Sequence, residues 1–175
     1  MALDETLVRN QLHALLVGGH AHMDFDEAIA NLSVKQINAK TPATPYSVWH
    51  IVEHMRIAQK DILDFIRIPG HASPDYPGGY RPRADLEADK ATWGKIISRF
   101  RKDLDTLAEM ALDSRTDLFS PIPHAPEYTI LRELMVVADH NAYHIGEIAI
   151  LRQELCAWPK GQEYLTGEGT AVPDF

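Results

Sequence analysis

The chain has 175 residues, of which 45% are hydrophobic and 24% charged, with a formal net charge of -8. This length and composition are typical of one globular domain, and the negative charge argues against nucleic acid or an anionic membrane as a partner. A single cysteine, Cys156, excludes an internal disulfide framework. Because we find neither a signal peptide nor an apolar stretch long enough to span a membrane, we expect a cytoplasmic protein.

Prolines and glycines divide the chain into four long stretches with helical periodicity. The first predicted helix runs from about Asp4 to Leu32 and contains the Gly18-Gly19 pair, which favours a kink or close helix packing. The second opens at Thr44-Pro45, an N-cap residue followed by a proline at the first helical position, and ends near Ile68.

Two loops rich in proline separate the remaining helices. The segment from Pro69 to Pro82 precedes a third predicted helix over residues 84–112, and Pro121, Pro123 and Pro126 mark the second loop. The fourth helix follows Thr129, a plausible N-cap, and runs to about residue 157. No stretch alternates with period two, so the pattern predicts an all-α four-helix bundle. We expect one domain over residues 1–175, with a core of about 4–158 and a polar C-terminal tail, 159–175.

Histidine spacing on two of these helices points to metal chemistry. His50 and His54 lie four residues apart on the second helix, and His140 and His144 do so on the fourth. Residues four apart share one helix face, so such a pair can chelate one ion. A third histidine from a facing helix would leave an open coordination position, as catalytic zinc sites have.

Helical-wheel geometry separates the two histidines of the second helix. At 100° per residue, His54 lies roughly 80° from the centre of the apolar stripe and His50 roughly 120° away, towards the polar side. His54 is therefore the inward candidate, and His50 either orients a ligand or is exposed. On the fourth helix, His140 and His144 lie together at one edge of the apolar stripe, with Glu147 nearby.

Other chemistries fit these residues less well. HNAYH has Asn141 where the metalloprotease base would stand, and the chain contains no Glu-x-x-His, the motif of di-iron bundles. We interpret Cys156 as a packing residue. Histidines beside an apolar face are commonly structural, so a site without metal stays open as the alternative.

The segment ADHNAYHIGEIAILRQ is similar to the "DHxxYHxGQ" signature on the last helix of the DinB/YfiT-like superfamily. WHIVEHMRIAQ resembles the family's helix with a single ligand histidine, and the resemblance spans about residues 4–158, including the long loop between the second and third helices. It implies a four-helix bundle with a divalent metal held by three histidines. Carried over by position, these ligands are His54, His140 and His144.

The resemblance also implies a class of function. Some members are metal-dependent transferases or isomerases that use low-molecular-weight thiols. We therefore predict a divalent-metal-dependent enzyme with a small-molecule substrate. A thiol-linked S-transferase is the favoured class, and a hydrolase is the less favoured one. We expect zinc or nickel, with iron or manganese as alternatives, since imidazole suits several metals, and a homodimer. The alternative is a non-catalytic stress protein that binds a metal or a small ligand.

Two further residues are candidates for catalysis. Glu147 stands where the family commonly has glutamine and can accept a hydrogen bond from a ligand imidazole. His124 lies in the loop before the fourth helix, which could cover the metal, and is a candidate general acid or base. Tyr76 and Tyr80 of the first proline-rich loop are candidates for a substrate rim.

Overall fold

The computed structural model describes residues 4–159, which are predominantly helical. The elements in chain order are α1 (Glu5–Val17), α2 (Phe25–Ile29), α3 (Val34–Asn38), α4 (Val48–Arg67), a 3-10 turn (Gly78–Tyr80), α5 (Lys90–Leu112), β1 (Pro121–Ile122), β2 (Ala125–Thr129) and α6 (Ile130–Glu154). This architecture confirms the all-α prediction. Within the described part of the chain, none of the helices combines the length and hydropathy needed to cross a bilayer.

Four long helices carry most of the tertiary contacts. α1 packs against α5 and α6, and α4 packs against the same two helices, while the short α2 and α3 lie against α6 and α4. α4 and α6 run in opposite directions, since His54 lies beside His140, whereas Phe65 contacts Tyr128 just before α6 begins. Residues from the middle of these two helices therefore meet across one interface.

The core consists of two apolar clusters with a polar contact between them. Met55 of α4 and Ile145 of α6 belong to the first cluster, and Leu63 of α4 belongs to the second. Between them, the buried Asn141 donates from Nδ2 to Gln59 Oε1 at 3.0 Å, and Gln59 Nε2 donates to a backbone carbonyl of α5 at 2.8 Å. Burial of these amides requires such partners, so the contact sets the register of three helices.

The prediction of the first helix is wrong beyond Val17, where α1 ends. Gly18 and Gly19 both have positive φ, 78° and 79°, a conformation that glycine adopts without the steric cost of a side chain. The chain then turns, and Asp24 starts the short α2 through a capping box with Glu27. A third helix begins after Ser33. The continuous helix over residues 4–32 is thus replaced by α1 and α2.

Two other helices begin later than predicted. α4 starts at Val48 rather than near Thr44, because Thr44 pairs with Thr41 in an isolated bridge. The Ser47 N–H donates to His50 Nδ1 at 3.3 Å, which fixes the new helix start. α5 starts at Lys90 with Asp89 as its N-cap, accepting from the Thr92 N–H at 2.7 Å.

The second proline-rich loop contains regular structure that the sequence analysis did not predict. β1 and β2 form a small antiparallel hairpin with an irregularity between Pro121 and Ile122. The predicted N-cap of the last helix is confirmed, since Thr129 accepts from the Arg132 N–H at 3.2 Å. α6 ends at Glu154, slightly before the predicted end. The predicted tail lies outside the described residues, except for residue 159.

Candidate metal centre

Three histidines from two helices converge at the interface of α4 and α6. His54 Nε2 lies 3.1 Å from His140 Nε2, and His140 Nε2 lies 3.2 Å from His144 Nε2. Their ligand atoms all lie within 4.8 Å of one another. His140 and His144 come together because they are one helical turn apart, whereas His54 reaches them only because α4 packs against α6.

Hydrogen bonds on the far side of two imidazoles orient this histidine group. His54 Nδ1–H donates to the Tyr80 carbonyl oxygen at 2.9 Å, and His144 Nδ1–H donates to Glu147 Oε2 at 2.6 Å. With the proton on Nδ1, the Nε2 atom of each ring carries a lone pair directed at the other histidines. Partners of this kind are typical of metal-ligating histidines, since they fix both the tautomer and the ring orientation.

The donor set fits a divalent transition metal. Two nitrogens bound at about 2.0–2.1 Å to a tetrahedral Zn²⁺ lie about 3.3 Å apart, close to the separations observed here. Without a cation, the Nε2–H tautomer of His140 can donate to one of these lone pairs. Imidazole nitrogens suit zinc, copper, iron and nickel. His54, His140 and His144 are therefore able to hold such an ion.

The surroundings keep His54 and His140 neutral and the Glu147 carboxylate ionised. Burial, together with the neighbouring His144 and His54, lowers the pKa of His140 to about 4, and burial also lowers the pKa of His54. The hydrogen bond from His144 lowers the pKa of Glu147. At neutral pH, the imidazoles of His54 and His140 are thus neutral, with one nitrogen free to bind a metal, as metal ligands must be.

Two cavities reach the histidine group from different sides. One, of about 170 Å³, is lined by His54, His144 and Glu147 together with Tyr46, His50, Arg81 and apolar side chains. The other, of about 720 Å³, is lined by His54, His140 and residues of the first proline-rich loop, including the predicted rim residues Tyr76 and Tyr80. A small molecule can therefore approach the histidines.

His50 was predicted to orient a ligand or to be exposed, and the structure excludes exposure. The side chain is 5% exposed, because its position close to the helix start places it under the loop that follows α4. Its Nδ1 accepts from Ser47, so Nε2–H donates to the Arg83 carbonyl at 3.2 Å. His50 thus holds this loop rather than contacting the histidine group.

Asp61, which was not predicted from the sequence, anchors the first proline-rich loop. Asp61, nearly buried on α4, accepts from His71 Nε2–H at 2.7 Å and from the Tyr80 hydroxyl at 2.5 Å. The Tyr80 side chain is therefore held while its carbonyl orients His54. One signal was available: Asp61 lies seven residues after His54, two turns along the same face of α4.

Two other residues considered in the sequence analysis, the catalytic candidate His124 and the cysteine Cys156, lie away from the histidine group. His124 Nε2–H donates to the Phe65 carbonyl at 2.8 Å, and Phe65 lies eleven residues beyond His54, about 16 Å along α4. The structure thus does not bring His124 to the site. Cys156 is exposed, so its assignment as a packing residue was wrong: it follows the end of α6 with a φ of 49° and projects outside the core.

Comparison with known proteins identifies the family. A family model described as the DinB superfamily matches residues 20–148, a span that includes α4, the loop after it, and the part of α6 that carries His140, His144 and Glu147. Searches of curated proteins and of solved structures found no match. Since the matched span covers well over half of the chain and contains the whole histidine group, the chain belongs to the DinB superfamily.

Proposed function

We propose that the protein is a metal-dependent enzyme acting on a small molecule, with His54, His140 and His144 as the metal ligands. The position of His140 Nε2, 3.1 Å from His54 Nε2 and 3.2 Å from His144 Nε2, supports this proposal, since the rings of His54 and His144 are turned inward by hydrogen bonds to Tyr80 and Glu147. These hydrogen bonds favour the Nδ1–H tautomer of His54 and His144, which directs two Nε2 lone pairs at the place where an ion would lie.

Thiol-linked transfer is the reaction class that we propose. Three neutral imidazoles leave a bound divalent ion with its full charge, so the ion would act as a Lewis acid that lowers the pKa of a thiol or water. The thiol would lose its proton to solvent, its sulfur would bond to an electrophilic carbon, and the group displaced from that carbon would leave with the bonding electrons. The only cysteine, Cys156, is exposed after α6, so the thiol would come from a co-substrate.

Accessibility favours an enzyme over a protein that merely stores or is stabilised by a metal. A structural metal site is closed by four protein ligands. Among residues 4–159, the histidine group offers three ligands, and Glu147, the nearest carboxylate, already accepts from His144. The two adjoining cavities give a substrate access to the remaining coordination position.

The helix arrangement, the identity of the metal and the oligomeric state are also proposals. We propose a four-helix bundle of DinB/YfiT-like type formed by α1, α4, α5 and α6, zinc or nickel as the metal, and a cytoplasmic homodimer. Support for self-association comes from α6, which exposes Met135, Tyr143 and Ile150 along its outer face. Sedimentation analysis of the purified protein tests the dimer directly.

Elemental analysis tests the metal centre. Protein purified without a histidine tag or chelator should contain about one divalent ion per chain, and a His140→Ala, His144→Ala double variant should contain none. A His20→Ala, His22→Ala variant is the matched control, because it removes two histidines outside the group and should keep the metal. Absence of metal, with no uptake of added Zn²⁺ or Ni²⁺, would overturn the proposal. Thiol-transferase assays of the loaded protein then test the reaction class.

A further inference from the structure

Arg81 lies on a short segment whose backbone is held on both sides. The Tyr80 carbonyl accepts from His54 at 2.9 Å, and the Arg83 carbonyl accepts from His50 at 3.2 Å. The Tyr80 hydroxyl is additionally bound to Asp61. These contacts attach the loop to α4 before and after Arg81, so the Cα of Arg81 has a defined position beside the histidine group.

The guanidinium of Arg81 is not committed to a protein acceptor. Within residues 4–159 it has no hydrogen bond or ion pair, and its contact is with the Tyr46 ring, 5.8 Å from the centroid. Arg83, two residues later, pairs with Asp85 at 2.6 Å instead. An arginine that keeps its planar set of N–H donors free can bind a planar anion through two parallel hydrogen bonds.

The position of Arg81 relates it to the open side of the histidine group. Both cavities are lined by Arg81 and His54, one continuing to His144 and the other to His140. Glu147, the acidic residue of the smaller cavity, accepts hydrogen bonds from His144 Nδ1–H and, at 3.4 Å, from the Tyr46 hydroxyl. Arg81 therefore lines both approaches, whereas Arg83 lines only the larger cavity.

We propose that Arg81 is a specificity residue that binds a carboxylate of the molecule processed at the histidine group. This inference rests on the proposed function and names its substrate class. A carboxylate matches the two-donor edge of a guanidinium, and a single negative charge fits better than a phosphate dianion because the Glu147 carboxylate is near. The apolar wall of Ile51 and Pro82 suits the carbon chain of such a molecule.

The test compares anionic and neutral thiols on protein loaded with Co²⁺, whose absorption spectrum reports thiolate coordination. We expect 3-mercaptopropionate to bind more tightly than 2-mercaptoethanol by about fivefold to twentyfold, as one partly exposed charge-assisted contact allows. Arg81→Gln should reduce this ratio to about one while retaining Co²⁺. Arg83→Gln makes the same charge change at a residue that also lines the larger cavity but whose guanidinium is paired with Asp85, and it should keep the ratio. A preference for 3-mercaptopropionate that persists unchanged in Arg81→Gln would overturn the inference.

A second arm distinguishes the source of the carboxylate. With 2-mercaptoethanol present, succinate is compared with succinamide, which has the same carbon chain without the charges. If succinate binds in an Arg81-dependent way and 3-mercaptopropionate shows no preference, the carboxylate belongs to the second substrate rather than the thiol. Failure to bind Co²⁺ refutes the metal centre. The Arg81 Nε–H signal in NMR then tests the inference alone, and no shift on adding succinate would reject it.

Discussion

Replacing Glu147 by glutamine tests whether the carboxylate strengthens the metal site. Glu147 Oε2 lies 2.6 Å from His144 Nδ1 and its side chain is only 27% exposed. The substitution keeps the size of the side chain and an oxygen that accepts from Nδ1–H, but it removes the negative charge. It therefore isolates the electrostatic part of the contact.

The magnitude follows from the loss of charge in one hydrogen bond. Hydrogen bonds to charged groups contribute about 1.5–3 kcal/mol and neutral ones about 0.5–1.5 kcal/mol, so the change costs about 1 kcal/mol. This corresponds to about a fivefold weaker affinity for Zn²⁺. Glu147→Ala removes the acceptor altogether and should weaken binding by about 10- to 100-fold, as loss of an orienting partner generally does.

The assay is competition for Zn²⁺ with a chromogenic chelator at constant pH and salt. Glu154→Gln serves as the control, because Glu154 is exposed near the end of the same helix; its affinity should equal that of the unmodified protein. If both Glu147 variants bind Zn²⁺ within twofold of the unmodified protein while His144→Ala loses it, Glu147 does not support the metal ligand and the reasoning fails.

Three further predictions concern the histidine group and its supports. Asn141→Ala leaves Gln59 Oε1 unpaired in the core, and we expect urea denaturation to show a loss of about 1–3 kcal/mol. The pKa of His140 is lowered to about 4, so its contribution to the stability of the metal-free protein is complete above about pH 6.5 and is lost as the pH falls towards 4. Allowing for solvent screening, His140 should lower the free energy of unfolding by about 1 kcal/mol between pH 7 and 5. His140→Gln should remove that part of the drop and leave the part due to His54 and His50, whose pKa values burial also lowers. Asp61→Ala releases the proline-rich loop, so trypsin should cleave after Arg83 faster than in the unmodified protein; equal rates would contradict the anchoring role.

Local signals in the sequence were sufficient where a short segment decides the outcome. Thr129 caps α6 because its side chain reaches a backbone N–H three residues away, an interaction set by neighbouring residues alone. The apolar spacing of α4 likewise favoured His54 over His50 as the member of the histidine group, but it placed His50 towards the polar side, and that residue is buried. The start of α4 was predicted wrongly because more than one residue could cap the helix. Thr44-Pro45 resembles a helix start, but the cap forms at Ser47. Its partner His50 is held by the distant Arg83.

The sequence by itself determined the helical class and the spacing that brings His140 and His144 onto one face, because helical periodicity is a property of the local backbone. Only the tertiary structure decided that His54 lies 3.1 Å from His140, since that distance depends on the packing of α4 against α6. The same holds for the Tyr80 carbonyl and Arg81. A loop rich in proline and glycine has no periodicity from which its path can be predicted, and contacts with Asp61 and His50, distant in sequence, establish where it lies.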